Sequence, residues 1–156
     1  MARSAIEQMQ KERRPKRVDT LPEGVRHWGP PGASMIVSTP REVDAILRQV
    51  PPGRVTTLDD IRHCLARRHG TTIACPVSTA IFIGLAARAA LEMRELGAEA
   101  VTPFWRALRA DGALNPKYPG GIRLQAAFLE AEGHRIGQKG KTSFLVDHEA
   151  VLADLA

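Results

Sequence analysis

Thr102-Pro103-Phe104-Trp105-Arg106-Ala107-Leu108, continuing through Asp111-Gly112 to Tyr118-Pro119-Gly120-Gly121, is the stretch on which the reading of the fold turns. Two adjacent aromatics and an arginine stand between a proline and a loop closed by a glycine pair, a composition poor for helix and poor for strand. The segment reads as a shaped wall, offering aromatic surface and backbone that can approach a ligand closely. The whole chain has four Phe, two Trp and one Tyr, so three aromatics in this one segment are a concentration.

Working outward, Gly121 to Glu132 reads as a helix with Ile122, Leu124, Ala127, Phe128 and Leu129 inward, stopped by Gly133. Arg135 to Val146 sets Gly137-Gln138-Lys139-Gly140-Lys141 between Ile136 and Phe144-Leu145-Val146, the pattern of a hairpin with a basic tip. That tip is either a phosphate-contacting wing or a solvated turn. Asp147 to Leu155 reads as a short closing helix.

Upstream, Thr39-Pro40 opens a helix whose apolar face is Val43, Ile46, Leu47 and Val50, and Pro51-Pro52-Gly53 ends it. Thr57 is placed to cap a second helix, with Asp59 and Asp60 near its positive end and Leu58, Ile61 and Leu65 on one face, until Gly70. Thr71 to Pro76 reads as a polar turn. Ser78 or Thr79 then starts a third helix, rich in small residues, that runs to about Leu96. Two helices joined by a turn fit a helix-turn-helix whose second member enters a groove. On that reading Ile81, Phe82, Ile83 and Leu85 pack in the core, while Ser78, Thr79 and nearby amides touch phosphate.

Residues 1–34 hold seven Lys/Arg against four acids, a net of +3, with prolines at 15, 22, 30 and 31 and little apolar periodicity. They read as a basic arm before a domain of residues 35–156. The arm either tracks phosphates or binds nothing specific, and Trp28 either pins it to the domain or stacks on a base. Across the 156 residues, 22 Lys+Arg against 17 Asp+Glu favours an anionic partner. Cys64 and Cys75 lack metal-site spacing, so reduced thiols and no metal are expected. The N-terminus lacks a signal-peptide core, and the apolar run Ala80 to Leu91 is interrupted by Arg88. No membrane partner is expected, and a cytoplasmic protein is, nucleoid-associated if bacterial.

Several motifs together carry a family resemblance. Val50-Pro51-Pro52-Gly53-Arg54-Val55-Thr56-Thr57, Pro103-Phe104-Trp105-Arg106, Asp111-Gly112, Tyr118-Pro119-Gly120-Gly121 and Leu129-Glu130-Ala131-Glu132-Gly133 resemble the DNA-binding domain of the O6-alkylguanine-DNA alkyltransferases, over roughly residues 40 to 135. That family has Pro-Cys-His-Arg where this chain has Pro103-Phe104-Trp105-Arg106, so Phe104 takes the place of the methyl-accepting cysteine. The chain therefore resembles the alkyltransferase-like proteins.

The resemblance implies a mainly helical, winged helix-turn-helix domain with a small C-terminal hairpin. It implies no catalytic residue and no cofactor. Double-stranded DNA, alkylated duplex included, is the implied partner, with nucleotide-excision repair proteins acting after it. The base pocket would be built from Phe104, Trp105, Tyr118, Gly120 and Gly121, unless Phe104 plugs it. Thr56, Thr57, Ser78, Thr79, Arg88 and Arg106 are the candidates for DNA contact, Arg106 being equally able to buttress the loop. Two departures bear on nucleotide flipping. The family's tyrosine after its Thr-Thr pair is Leu58. Its gap-filling arginine falls on Ala80 or Ile81 counting from Pro76, or near Arg88 counting back from Pro103. The rival readings are a general winged-helix DNA-binding module and, less favoured, an enzyme using Glu132 or Cys75 on a flipped base.

Overall fold

Thr39 and Thr57 start two helices in the same way. Each is extended, and each hydroxyl accepts the amide three residues on, Glu42 at 3.2 Å and Asp60 at 3.1 Å. The computed structural model describes residues 4–156, so Arg3, one of the cations counted above, lies outside the described residues. The helices are α1 (Ala5–Gln10), α2 (Pro40–Leu47), α3 (Leu58–His69), α4 (Pro76–Glu95) and α5 (Gly121–Ala131). The strands are β1 (Lys16–Val18), β2 (Met35–Val37), β3 (Thr56–Thr57), β4 (Ile73–Ala74), β5 (Ala107–Leu108), β6 (Ile136–Lys139) and β7 (Thr142–Leu145). The protein is mainly helical, with three small sheets in the order β1-β2-β4, β3-β5 and β6-β7.

The third helix starts before Ser78. Cys75 takes the cap position, its sulfur accepting the Ser78 amide at 3.4 Å, and Pro76 fills the first turn, where no donor is required. With 20 residues and a mean hydropathy of 1.3 over its most apolar stretch, α4 has the length and composition of a membrane span, beyond what the Ala80–Leu91 run suggests. Its inward residues are spent against protein: Ile83, Ala86, Ala87 and Ala90 join Val43, Ile46, Leu47, Ile61 and Leu65 from α2 and α3. The small side chains let those helices come close. The same cluster takes in Phe104, Leu108, Leu129 and Leu145.

Residues 4–34 are not an extended arm. Ala5, Ile6 and Met9 of α1 pack against Leu85 and Ala89 of α4, and the Glu92 carboxylate accepts the amides of Ala5 (2.8 Å) and Ile6 (3.1 Å). β1 pairs antiparallel with β2, which runs parallel to β4, so the expected polar turn at 71–76 contains a strand. Trp28 packs on Leu21, Ala33, Met35 and Cys75 and so pins its segment to the domain. The reason is that each short apolar cluster in this polar stretch has a partner far away in sequence, which local periodicity does not register.

α5 runs where expected, but Gln125 and Leu129 are its buried residues while Ala127 is exposed. The β6-β7 hairpin turns at Gly140, as expected. Residues His148–Val151 form only a 3-10 turn in place of the expected closing helix.

The α1 contact gives a pH-dependent prediction. The amides of Ala5 and Ile6 hold the Glu92 carboxyl below its ordinary value of 4.5. A carboxyl lowered on folding stabilises above its unfolded pKa and loses that contribution as pH falls through the folded one. Hydrogen-exchange protection at Ala5 and Ile6 is therefore expected at neutral pH, to fade below 4.5, and to vanish at neutral pH in Glu92→Ala while the α4 amides stay protected.

Candidate nucleic-acid interface

The Pro103-Phe104-Trp105-Arg106 motif forms a 3-10 turn leading into β5. The Phe104 ring is fully buried and meets three others edge-on, Trp105 at 5.5 Å, Tyr118 at 5.7 Å and Phe128 at 6.1 Å between centroids. Trp105 stacks on Phe128 at 4.2 Å and donates its indole N–H to Glu132 Oε1 at 3.0 Å. Arg106 Nε reaches both Glu132 oxygens (3.0 and 3.1 Å), one terminal nitrogen donates to Oε2 at 2.5 Å, and the other to the Val50 carbonyl at 2.6 Å. Burial opposes ionisation of Glu132, yet the hydrogen bonds from Arg106 and Trp105, with the guanidinium charge, hold its pKa below the ordinary value.

Phe104, Trp105 and Arg106 are thus core and buttress. Neither aromatic walls an open pocket, and Arg106, 8% exposed, does not reach a groove. The physical reason is local: the 3-10 turn directs all three side chains inward, where each ring finds another ring and the guanidinium finds a carboxylate.

A cavity of about 460 Å³ lies beside this turn, between the start of α3, the first half of α4 and the loop from Leu108 to Tyr118. Leu58, Ala80, Ile83, Leu108 and Tyr118 supply apolar surface, and Arg109, Asp111, Asn115 and Lys117 supply polar groups. The Tyr118 phenol donates to the Ala107 carbonyl at 2.9 Å, and burial pushes its pKa up, which keeps the hydroxyl protonated. The loop is held by its own polar groups: Asp111 Oδ1 accepts the Ala113 amide (3.1 Å), and Asn115 Oδ1 accepts that of Lys117 (2.9 Å). From α5, Gln125 Oε1 accepts the Asn115 amide at 2.8 Å, and Gln125 Nε2 donates to the Trp105 carbonyl at 3.1 Å. Gly112 is obligatory, since at φ 86° an added Cβ would lie 2.4 Å from His148 Nδ1.

Of the five pocket candidates, only Tyr118 lines this cavity. Gly120 (φ 81°) and Gly121 (φ 66°) turn the chain into α5 and stand outside it. Two positions singled out as departures, Leu58 and Ala80, do line it. Of the three positions considered for the family's gap-filling arginine, Ala80 lines the cavity while Ile81 and Arg88 do not. Arg109, Asn115 and Lys117 escaped the sequence reading because they fall between the recognisable motif fragments.

The DNA-contact candidates separate in the same way. Thr56 is fully buried, Thr57 is spent on capping α3, and Thr79, 1% exposed, donates to the Cys75 carbonyl at 2.6 Å. None of these three hydroxyls is at the surface: those of Thr57 and Thr79 serve the backbone, and Thr56 Oγ1 is enclosed without a hydrogen-bond partner among the described residues. Ser78 is half-buried as a residue, but its hydroxyl, expected to meet phosphate, is enclosed beside the start of α4 and does not reach the surface. Arg88 is exposed, some 12 Å along the helix from Ala80 at ~1.5 Å per residue, with its guanidinium lying back over Gly84. Ile81, expected in the core, instead points outward with Val77, the two being 57% and 53% exposed. Val77, Ile81, Gly84 and Arg88 share one face at helical spacing.

Both cysteines are buried and engaged. Cys64 donates to the Ala156 carbonyl at 3.3 Å, and Cys75 accepts at the α4 cap.

Breaking a buried ion pair from one side leaves a stranded charge, so Glu132→Ala and Arg106→Ala should each destabilise by about 3 kcal/mol. The double variant should lose less than the sum, as measured by urea unfolding. Because the Glu132 carboxyl is lowered on folding, its contribution is present above 4.5 and is lost as pH falls through the folded value.

Neither a family model nor a curated protein matches the chain. Two solved structures align with it: S. pombe Atl1 in complex with damaged DNA containing O6-carboxymethylguanine, at 21% identity and a TM-score of 0.49, and S. pombe ATL in complex with DNA, at 19% identity and 0.47. Each alignment covers 74% of this chain and 94% of the other.

Proposed function

We propose that this chain binds duplex DNA through the outward face of α4, as a winged helix-turn-helix, and holds an alkylated guanine-type base turned out of the stack, without reacting with it. The observation that carries the reading is the cavity of about 460 Å³ opening beside the exposed stripe Val77, Ile81 and Arg88. Its volume lies within the ~300–1,000 Å³ of small-ligand pockets. Apolar surface from Leu58, Ile83 and Leu108 suits a base face and an added alkyl group, while Asn115 and the loop backbone offer polar partners for base edges. Arg109 and Lys117 put positive charge at the same site, where a flipped nucleotide carries its phosphate.

Energetically the arrangement is sufficient without chemistry. Turning out a damaged base costs a few kcal/mol, which burial of its face and alkyl group against Leu58, Ile83 and Leu108 offsets in part. Phosphate contacts add to that. Acceptance of the alkyl group would need an activated nucleophile at the pocket. Phe104 sits in the core, both thiols are engaged elsewhere, and Glu132 is saturated by Arg106 and Trp105. These placements support binding without transfer, and on this proposal the base is left for other repair proteins, nucleotide-excision repair among them.

Fluorescence anisotropy with matched duplexes carrying guanine or O6-methylguanine, followed by intact-mass measurement, tests this. Binding about tenfold tighter to the methylated duplex, ~1.4 kcal/mol, is expected, with no mass gain. Ala110→Phe, which fills the cavity from its loop side, should abolish the preference and spare general binding. Equal affinity for both duplexes would leave a general DNA-binding module, and a methyl-sized mass gain would establish a transferase.

A further inference from the structure

Between α1 and β1 the chain runs Lys11-Glu12-Arg13-Arg14-Pro15-Lys16-Arg17, five cations to one acid, all exposed. Arg17 is committed to Asp19 (3.2 Å) and to the His69 carbonyl (3.1 Å). Lys11, Arg14 and Lys16 have no side-chain partner among the described residues. The Arg13 guanidinium carbon stands 6.0 Å from the centroid of the Phe82 ring. Like charges crowded this way repel one another and weaken the folded state unless a polyanion compensates them.

The segment is fixed at both ends. Arg41 Nε donates to the Met9 carbonyl at 3.1 Å, a second Arg41 nitrogen donates to the Gln10 carbonyl, and Lys16 begins the β1–β2 ladder opposite Val37. Phe82 is the neighbour of Ile81, so the cationic run passes along the edge of the outward face of α4. From Pro76 to Leu91 that helix contains no acid.

We propose that residues 11–16 form a prebuilt phosphate grip, seated beside α4, for one backbone strand of the duplex whose groove α4 faces. This rests on the DNA-binding reading above and adds to it a second line of contact from outside the stretch that carries the family resemblance. A grip already held by α1 and β1 needs no ordering when DNA arrives, unlike a disordered basic tail. It contacts phosphate and no base, so it contributes affinity without lesion preference.

The test is the salt dependence of duplex affinity for the full chain, by fluorescence anisotropy. Each phosphate contact contributes about 0.9 to the slope of log K against log salt, so Arg13→Gln/Arg14→Gln should flatten it by about 1.8. Between 50 and 200 mM salt the variant then loses about 12-fold less affinity than the parent chain. Lys11→Gln/Arg14→Gln, which keeps the Arg13–Phe82 contact, should do the same, and the ratio of affinities for O6-methylguanine and guanine duplexes should be unchanged in both. A parent chain that binds duplex DNA with a slope neither variant alters overturns the grip alone. A parent chain that does not bind duplex DNA overturns the DNA-binding reading as well.

Discussion

Glu132 is the point at which three distant parts of the chain are tied together. Its carboxylate takes Arg106 in two-pronged fashion and the Trp105 indole, and Arg106 in turn reaches back to the Val50 carbonyl at the end of α2. An ion pair whose side chains are 10% and 14% exposed has given up much of its hydration. It is worth having only if nearly every donor and lone pair is matched, and here the match is close to complete. The end of α5, the 3-10 turn and the end of α2 are therefore held in one geometry, and Phe104, next to Trp105, has nowhere to go but the core.

From that fixed turn the cavity follows. Tyr118 packs edge-on against Phe104 and hangs its hydroxyl on the Ala107 carbonyl, so the cavity wall rests on the buried turn. Gln125, buried in α5, bonds both the turn and the loop and transmits the same register to Asn115. On the opposite side α4 faces two ways at once. Its alanines allow α2 and α3 close, and its other side leaves Val77 and Ile81 uncovered. Uncovered aliphatics beside a cavity mark a face left open to a partner.

What was legible in the sequence was mostly local. Thr39-Pro40, Thr57 with its two aspartates, Gly70 and the Gly140 turn each act within a few residues, and the structure follows them. What failed depended on long-range partners. The first turn of α1 is capped by Glu92, and β1 exists because β2 lies beside it. A polar, proline-bearing stretch carries no trace of either in its own periodicity. The order and spacing of short motifs drew attention to the segment beside the cavity but placed Phe104, Trp105 and Arg106 facing outward, where the structure turns them into the core. An aromatic at a family's reactive position has the same spacing whether it lines a pocket or fills the core. Thr57 was misread for a related reason, since a hydroxyl that caps a helix and one that grips phosphate look alike in sequence.

Position 104 shows why binding and chemistry pull in opposite directions. A group that accepts an alkyl substituent must be reachable and activated, which means space around it and a base beside it. A phenylalanine packed edge-on by three rings has neither, and it removes the void that a smaller side chain would leave between the turn and Tyr118. With Phe104 in the core, the remaining cavity is bounded by Tyr118, Leu58, Ile83 and the Leu108–Lys117 loop. The Glu132 carboxylate is, on this arrangement, structural, its oxygens taken by Arg106 and Trp105. Each of those bonds holds the 3-10 turn in place, and with it the Phe104 ring against which Tyr118 packs.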